Sequence, residues 1–218
     1  MSNTNIKQLI EQARDYEAHT GELRRYLNEQ LAQLHPSIQG QSGDQLASLM
    51  HFVDQYIAHV PEFLDAACTV AVESGLTETV MPLLRAAEYF FLEPPPQLEG
   101  HRGLDALLDE AYLAHRFVEE INDCYMTHFG QPLIPMDLTV ANLIAHQLIG
   151  EPFANELDEL VHTAALHQFA SSRFDIDNLE AYKAHLNDPK VKAAWRRWPC
   201  FSAELGVELN WGMLAHAC

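Results

Sequence analysis

Glu88, His115, Glu119 and His146 are residues of the kinds that bind metals or move protons, and helical geometry turns each of them toward an apolar stripe. At about 100° per residue, Glu88 falls roughly 40° from Leu84, between Leu84 and Phe91. His115 falls about 40° from Ala111, within the stripe Leu104, Leu108, Ala111 and Val118. Asn122 shares that stripe, Glu119 sits at its edge, and His146 lies on a segment that is apolar almost all round. A carboxylate buried alone costs several kcal/mol, so Glu88 needs a partner or a raised pKa. His115 is the natural partner, making a metal half-site or an acid–base couple. Mixed imidazole and carboxylate suit iron or another divalent metal, and with a redox metal the expected chemistry is that of an oxygen-dependent oxidase. The plainer reading gives each residue an ordinary neighbour: Arg116 or Tyr112 for Glu88, a backbone carbonyl for His115.

A second arrangement, Glu159-Leu160-Val161-His162, has the Glu-x-x-His spacing of di-iron helical bundles. Its geometry argues against that use. The apolar face of the segment centres on Leu157, Leu160, Val161 and Ala164, and Glu159 and His162 lie roughly 140–200° from Leu157. No second Glu-x-x-His occurs in the chain. His167 and Glu156 flank the apolar face of the same segment. His51, His59 and His162 map to outer faces, and His101 to a glycine-flanked loop. The sequence has no GxSxG, HExxH, phosphate-binding glycine loop or dinucleotide fingerprint.

The elements that must position these residues are helical throughout. From Asn5 to about Leu34, Ile6, Leu9, Ala13, Tyr16, Leu23, Leu27 and Leu34 recur every three or four residues, close to a heptad pattern. Ser42 and Gln45 make a capping box for the next helix, and Pro61 starts another that ends near Gly75. Thr77 caps a helix bearing Val80, Leu84, Ala87 and Phe91. Residues 93–103, EPPPQLEGHRG, break the pattern and are expected to form a long crossover loop. A long helix follows from about Leu104 to His128. Asp137 caps a short helix, about 136–149, whose apolar character all round predicts a central place in the core. Gly150-Glu151-Pro152 restarts the chain into a helix ending near Ser171. Asp177 with Glu180, and Asp188 with Pro189, start two more, and the apolar tail from Trp198 is expected to dock on the bundle. No run alternates apolar and polar residues as a strand would, so no strand is predicted.

Composition sets the outer bounds. A chain of 218 residues with 48% hydrophobic and 20% charged residues buries a core without disulfide or metal staples. Cys68, Cys124, Cys200 and Cys218 form no CxxC pair, the usage of a reducing compartment. No stretch reaches the roughly 18 apolar residues of a membrane span, and the N-terminus lacks the apolar run of a signal peptide. The net charge of −18 is uneven: between Tyr26 and Ser172 only Arg85, Arg102 and Arg116 are basic. Such a body repels phosphate backbones and argues against nucleic acid. The basic-aromatic run Lys190, Lys192, Trp195, Arg196, Arg197 and Trp198 is expected to pair with the acidic body.

The expectation is therefore an all-α, single-domain bundle over residues 1–218, with about seven to nine helices and a central apolar helix. The function expected of it is the binding of a metal ion or small ligand in an internal pocket lined by Glu88, His115, Glu119 and His146. The rival expectation is a non-catalytic, acidic interaction or regulatory module using its N-terminal amphipathic helix. Tyr16, Leu23 and Leu27 would be partly exposed in a monomer, which predicts a homodimer through the first helix. Cytoplasm is the expected location.

Overall fold

The first helix ends at a glycine. α1 (Asn3–Thr20) stops at Gly21, whose φ of 63° is left-handed, and α2 (Glu22–Gln30) begins at once. The carboxylate of Glu17 accepts hydrogen bonds from the amides of Leu23 and Arg24 at 2.9 and 3.1 Å, satisfying donors that the new helix leaves open. The single stripe read over residues 5–34 is thus two short helices. Leu23 and Leu27 are fully buried, α2 packing on both α3 and α5. The stripe that suggested a dimer is covered by the chain's own helices at these two positions.

The computed structural model describes residues 3–40, 43–73, 77–98, 102–130, 132, 137–171, 180, 184, 187–189, 205 and 207–209. Helix accounts for 82% of them. After α2 comes a three-residue strand, β1 (Ile38–Gly40), then α3 (Gln45–Glu73) and α4 (Thr77–Leu92). A single 3-10 turn, Pro96–Leu98, sits within the proline-rich crossover and buries Leu98. α5 (Gly103–Phe129), α6 (Thr139–Ile149), α7 (Phe153–Ser171) and β2 (Val207–Leu209) complete the order. β1 pairs with β2 in an antiparallel ribbon, Ile38 opposite Leu209. Strands of three residues are too short to present an alternating pattern, which is why the sequence showed none. The helices expected after Asp177 and Asp188, the tail from Trp198 and the basic-aromatic run lie largely outside the described residues.

A further helix boundary differs from the pattern-based reading. α3 runs unbroken through Pro61 instead of restarting there. An interior proline costs about 3 kcal/mol. It is flanked by Val60, Phe63 and Leu64, all at 0% exposure, and their packing outweighs the local penalty. The start of α3 is held by Asp44, whose Oδ1 accepts from the Ala47 amide at 3.0 Å. α6 begins as expected, with Asp137 Oδ1 accepting from the Thr139 amide.

The apolar helix read at about 136–149 is α6, which buries Ala141, Asn142, Ile144, Ala145 and Leu148. The helix that touches every other helix is α5, which packs against α1, α2, α3, α4, α6 and α7. Residues 107–115 are buried without interruption, a pattern possible only for a helix surrounded on all sides. Buried apolar residues from Ile6 to Val207 form one connected core around it. No described helix is long and apolar enough to cross a membrane.

α5 begins at Gly103, whose φ is 66°. A Cβ there would lie 2.5 Å from the ring of Tyr16 on α1. Replacing Gly103 with Ala should therefore lower stability by more than the roughly 1–2 kcal/mol of left-handed strain alone. Gly21→Ala meets no neighbour and should show only the strain. Urea melts of the two variants, compared with the native chain, test the difference.

Candidate functional site

α5, α6 and α7 enclose an open cleft of about 450 Å³. Its wall carries Tyr112, Arg116 and Glu119 from α5, Thr139, Asn142 and His146 from α6, and Asp158 from α7. The helical repeat puts Tyr112, Arg116 and Glu119 on one face, at spacings of four and three. Arg116 donates from Nε to Asp158 Oδ1 at 2.9 Å and from its terminal nitrogen to Glu119 Oε2. A second terminal nitrogen lies 3.8 Å from Glu120. The Tyr112 hydroxyl donates to the same Asp158 Oδ1 at 2.8 Å.

Glu119 is fully engaged: Thr139 donates to Oε1 at 3.0 Å and the Asn142 amide to Oε2 at 2.6 Å. Asn142 is fixed in turn by Tyr56 of α3, which donates to its side-chain carbonyl at 2.7 Å. The result is a file of polar contacts from α7 through α5 and α6 to α3. Burial alone would pull the Arg116 pKa down, but the bond to Asp158 and the charge of Glu119 outweigh it and hold the cation firmly. Burial raises the pKa of Tyr56, and burial followed by the Asp158 charge raises that of Tyr112, so both hydroxyls stay protonated as donors.

His146 and Glu119 share this cleft. His146 Nε2 meets Asn155 Oδ1 at 3.1 Å and stands 3.7 Å from Asp158 Oδ2. His115 lies a layer deeper, at 0% exposure, with its ring centroid 4.3 Å from that of Tyr56 and 5.2 Å from that of Phe63. Its hydrogen-bond contact is His59, Nδ1 to Nε2 at 3.3 Å, so the imidazole meets α3. Glu88 is half-buried on α4 and is not among the cleft residues. Of the four candidates, then, the structure brings two to one cleft, seats the third behind it and leaves the fourth on another helix.

Other histidines also moved from their expected places. His59, read as an outer-face residue, is half-buried against His115, because α3 is covered on that side by α5. His167 and Glu156, read as flanking the core, are exposed on α7. His51 and His162 are exposed as expected, and His162 pairs with Glu120 at 2.8 Å. His101 lies outside the described residues. Among the described residues, no group of three or more His, Cys, Asp or Glu is placed to hold a metal ion.

Arg116, Asp158, Asn142 and Tyr56 were not singled out by pattern. One signal was there for Arg116. It is the only basic residue between Gly103 and Ser172, so the surrounding carboxylates must share it. Asp158 and Tyr56 have no such mark, because their contacts join residues far apart in the chain.

Replacing Arg116 with Met strands Glu119 and Asp158, whose side chains are 16% and 31% exposed. The loss should be about 2–4 kcal/mol in urea unfolding, and Arg116→Lys should recover only part of it for want of the planar fork. The histidine pair gives a pH signature. Burial lowers His59 to about 4, and burial together with His59 lowers His115 well below its ordinary value. Both fold neutral but protonate readily when unfolded, so their contribution is complete above about pH 6.5 and is lost as the pH falls toward 4. His115→Gln should reduce the slope of stability against pH by about 1.4 kcal/mol per unit between pH 6 and 5. Comparison finds no protein-family model, curated protein or solved structure that matches this chain.

Proposed function

We propose that this protein binds a small, polar organic cation in the cleft between α5, α6 and α7. One observation carries the reading. The internal network takes up both oxygens of Glu119 and Oδ1 of Asp158, while among the described residues Asp158 Oδ2 has only His146, at 3.7 Å, beyond hydrogen-bond reach. A carboxylate oxygen held rigid on a concave wall is a prepared acceptor for an ammonium or guanidinium group. Glu119, Glu151 and Asp158 against Arg116 leave the cleft negative, and the net charge of −18 draws cations toward it. The side-chain amide of Gln147 supplies a further polar contact without adding charge.

The fit to a divalent metal is poorer, since Asp158 and Glu119 are already committed to Arg116. Iron or another divalent ion is nevertheless the other occupant that imidazole beside carboxylate suits, and the test separates the two.

Thermal melts with a panel of diamines, guanidines and quaternary amines, run beside manganese, iron(II) and zinc, check the proposal. At one hundred times its Kd a ligand adds about 2.7 kcal/mol, a rise in Tm of roughly 5–10 °C for a chain of this size. At least one organic cation should give such a rise, and Asp158→Asn should abolish it. A panel without effect, or a response to metals alone, overturns the reading.

A further inference from the structure

On the opposite side of α5 a second cavity, of about 430 Å³, opens between α1, α4 and the start of α5. Its walls are largely apolar, with Phe91 and Leu92 from α4 and Leu107 from α5, and Arg102 and Tyr16 stand among its lining residues. Glu110 lines it too. This glutamate is only 8% exposed and has no hydrogen bond or ion pair with any described residue. Its neighbour in charge is Asp109, itself 3% exposed. A carboxyl group set in a largely apolar wall, with no partner among the described residues, destabilises the fold when it ionises. Such groups persist at sites where a ligand supplies the missing partner.

We propose that this cavity is a second binding site, taking an amphipathic primary amine whose ammonium meets Glu110 and whose apolar chain lies against Phe91, Leu92 and Leu107. The volume suits a chain of several carbons, and the negative field of the whole protein favours a cation over an anion. Arg102 is exposed at the start of α5, where its long side chain remains in water, whereas Glu110 is 8% exposed and set in the cavity wall. This site is separate from the polar cleft, which is built from other residues of α5.

Burial, then the Asp109 charge, raises Glu110 to about 8, so at neutral pH it holds a proton that an incoming ammonium must displace. The other charged or titratable groups at the cavity are Arg102 at the start of α5 and Tyr16 on α1, whose hydroxyl donates to Glu22; α4 contributes Phe91 and Leu92, and the segment after it Pro94. Amine binding is therefore coupled to proton release.

Isothermal titration with n-hexylammonium, and with hexanoate as the opposite charge, tests the proposal. The native chain should bind hexylammonium and release about one proton per amine near pH 6.5, read from buffers of different ionisation enthalpy. Affinity should rise roughly tenfold from pH 6 to pH 7. Glu110→Gln, and Glu110→Leu as a second variant that leaves no polar group to satisfy, should bind at least about tenfold more weakly. Both should melt at or above the native temperature at pH 8, confirming that they fold. Unchanged amine binding in either folded variant overturns the proposal. So does the absence of binding by the native chain, uptake without proton release, or hexanoate binding as tightly as the amine.

Discussion

Arg116 reaches in two directions from the middle of α5, to Glu119 on its own helix and to Asp158 on α7. Its charge is what allows those carboxylates to stand where they do. With the guanidinium in place, Glu119 can accept from Thr139 and Asn142 of α6, and Asn142 can accept from Tyr56 of α3. Each contact orients the next, so four helices are registered by one file of polar groups running through a largely apolar interior. Apolar packing holds the helices together but is non-directional. Hydrogen-bond geometry is directional, and a fully satisfied network in a core specifies one arrangement among many that would bury similar area.

The helix that carries this network is also the most enclosed. α5 is flanked by six others, yet it holds Asp109, Glu110, His115 and Asn122 among its buried residues. Those groups fall on different sides of the helix and meet different environments. Glu119 and Arg116 share a polar cleft with α6 and α7. His115 meets an imidazole and aromatic rings on α3. Glu110 faces an apolar cavity beside α1 and α4. One helix thus divides the interior into compartments of unlike polarity, which is how a small bundle keeps two differently lined cavities apart.

Much of this was readable in the chain before any coordinates. The apolar stripes located α4 through α7 to within a few residues and marked the chain covered by α1 to α3 as helical, though they ran α1 and α2 together at Gly21, and Asp137, Thr77 and Gly130 marked real helix ends. The inward turn of His115 and Asn122 was also correct, both being buried. Periodicity says which side of a helix is covered, but not by what. Glu88 and His115 both face the interior side of their helices, and the pattern joined them. In the fold, His115 looks to α3 instead. Position in the bundle was hidden for a similar reason. α6 is the more uniformly apolar segment, whereas α5 packs against more of its neighbours, which composition does not reveal. Pro61 was read as a boundary on local propensity, which the packing of Val60, Phe63 and Leu64 overrides.

The ribbon joining Ile38 to Leu209 bears on the order in which the chain can be completed. A ribosome adds about 5–20 residues per second, so residues 38–40 emerge on the order of ten seconds or more before residues 207–209. Over that interval β1 presents an unpaired strand edge, and for the first part of it α1 through α4 present faces meant for α5, which follows them in the chain. Three features blunt the hazard. The edge is only three residues long, it ends in Gly40, and Gln45 hydrogen-bonds both the Gly40 amide and the Ile38 carbonyl. A side chain from the following helix thus engages the early strand's backbone from nearby in the sequence, and it still does so in the finished fold with β2 paired alongside.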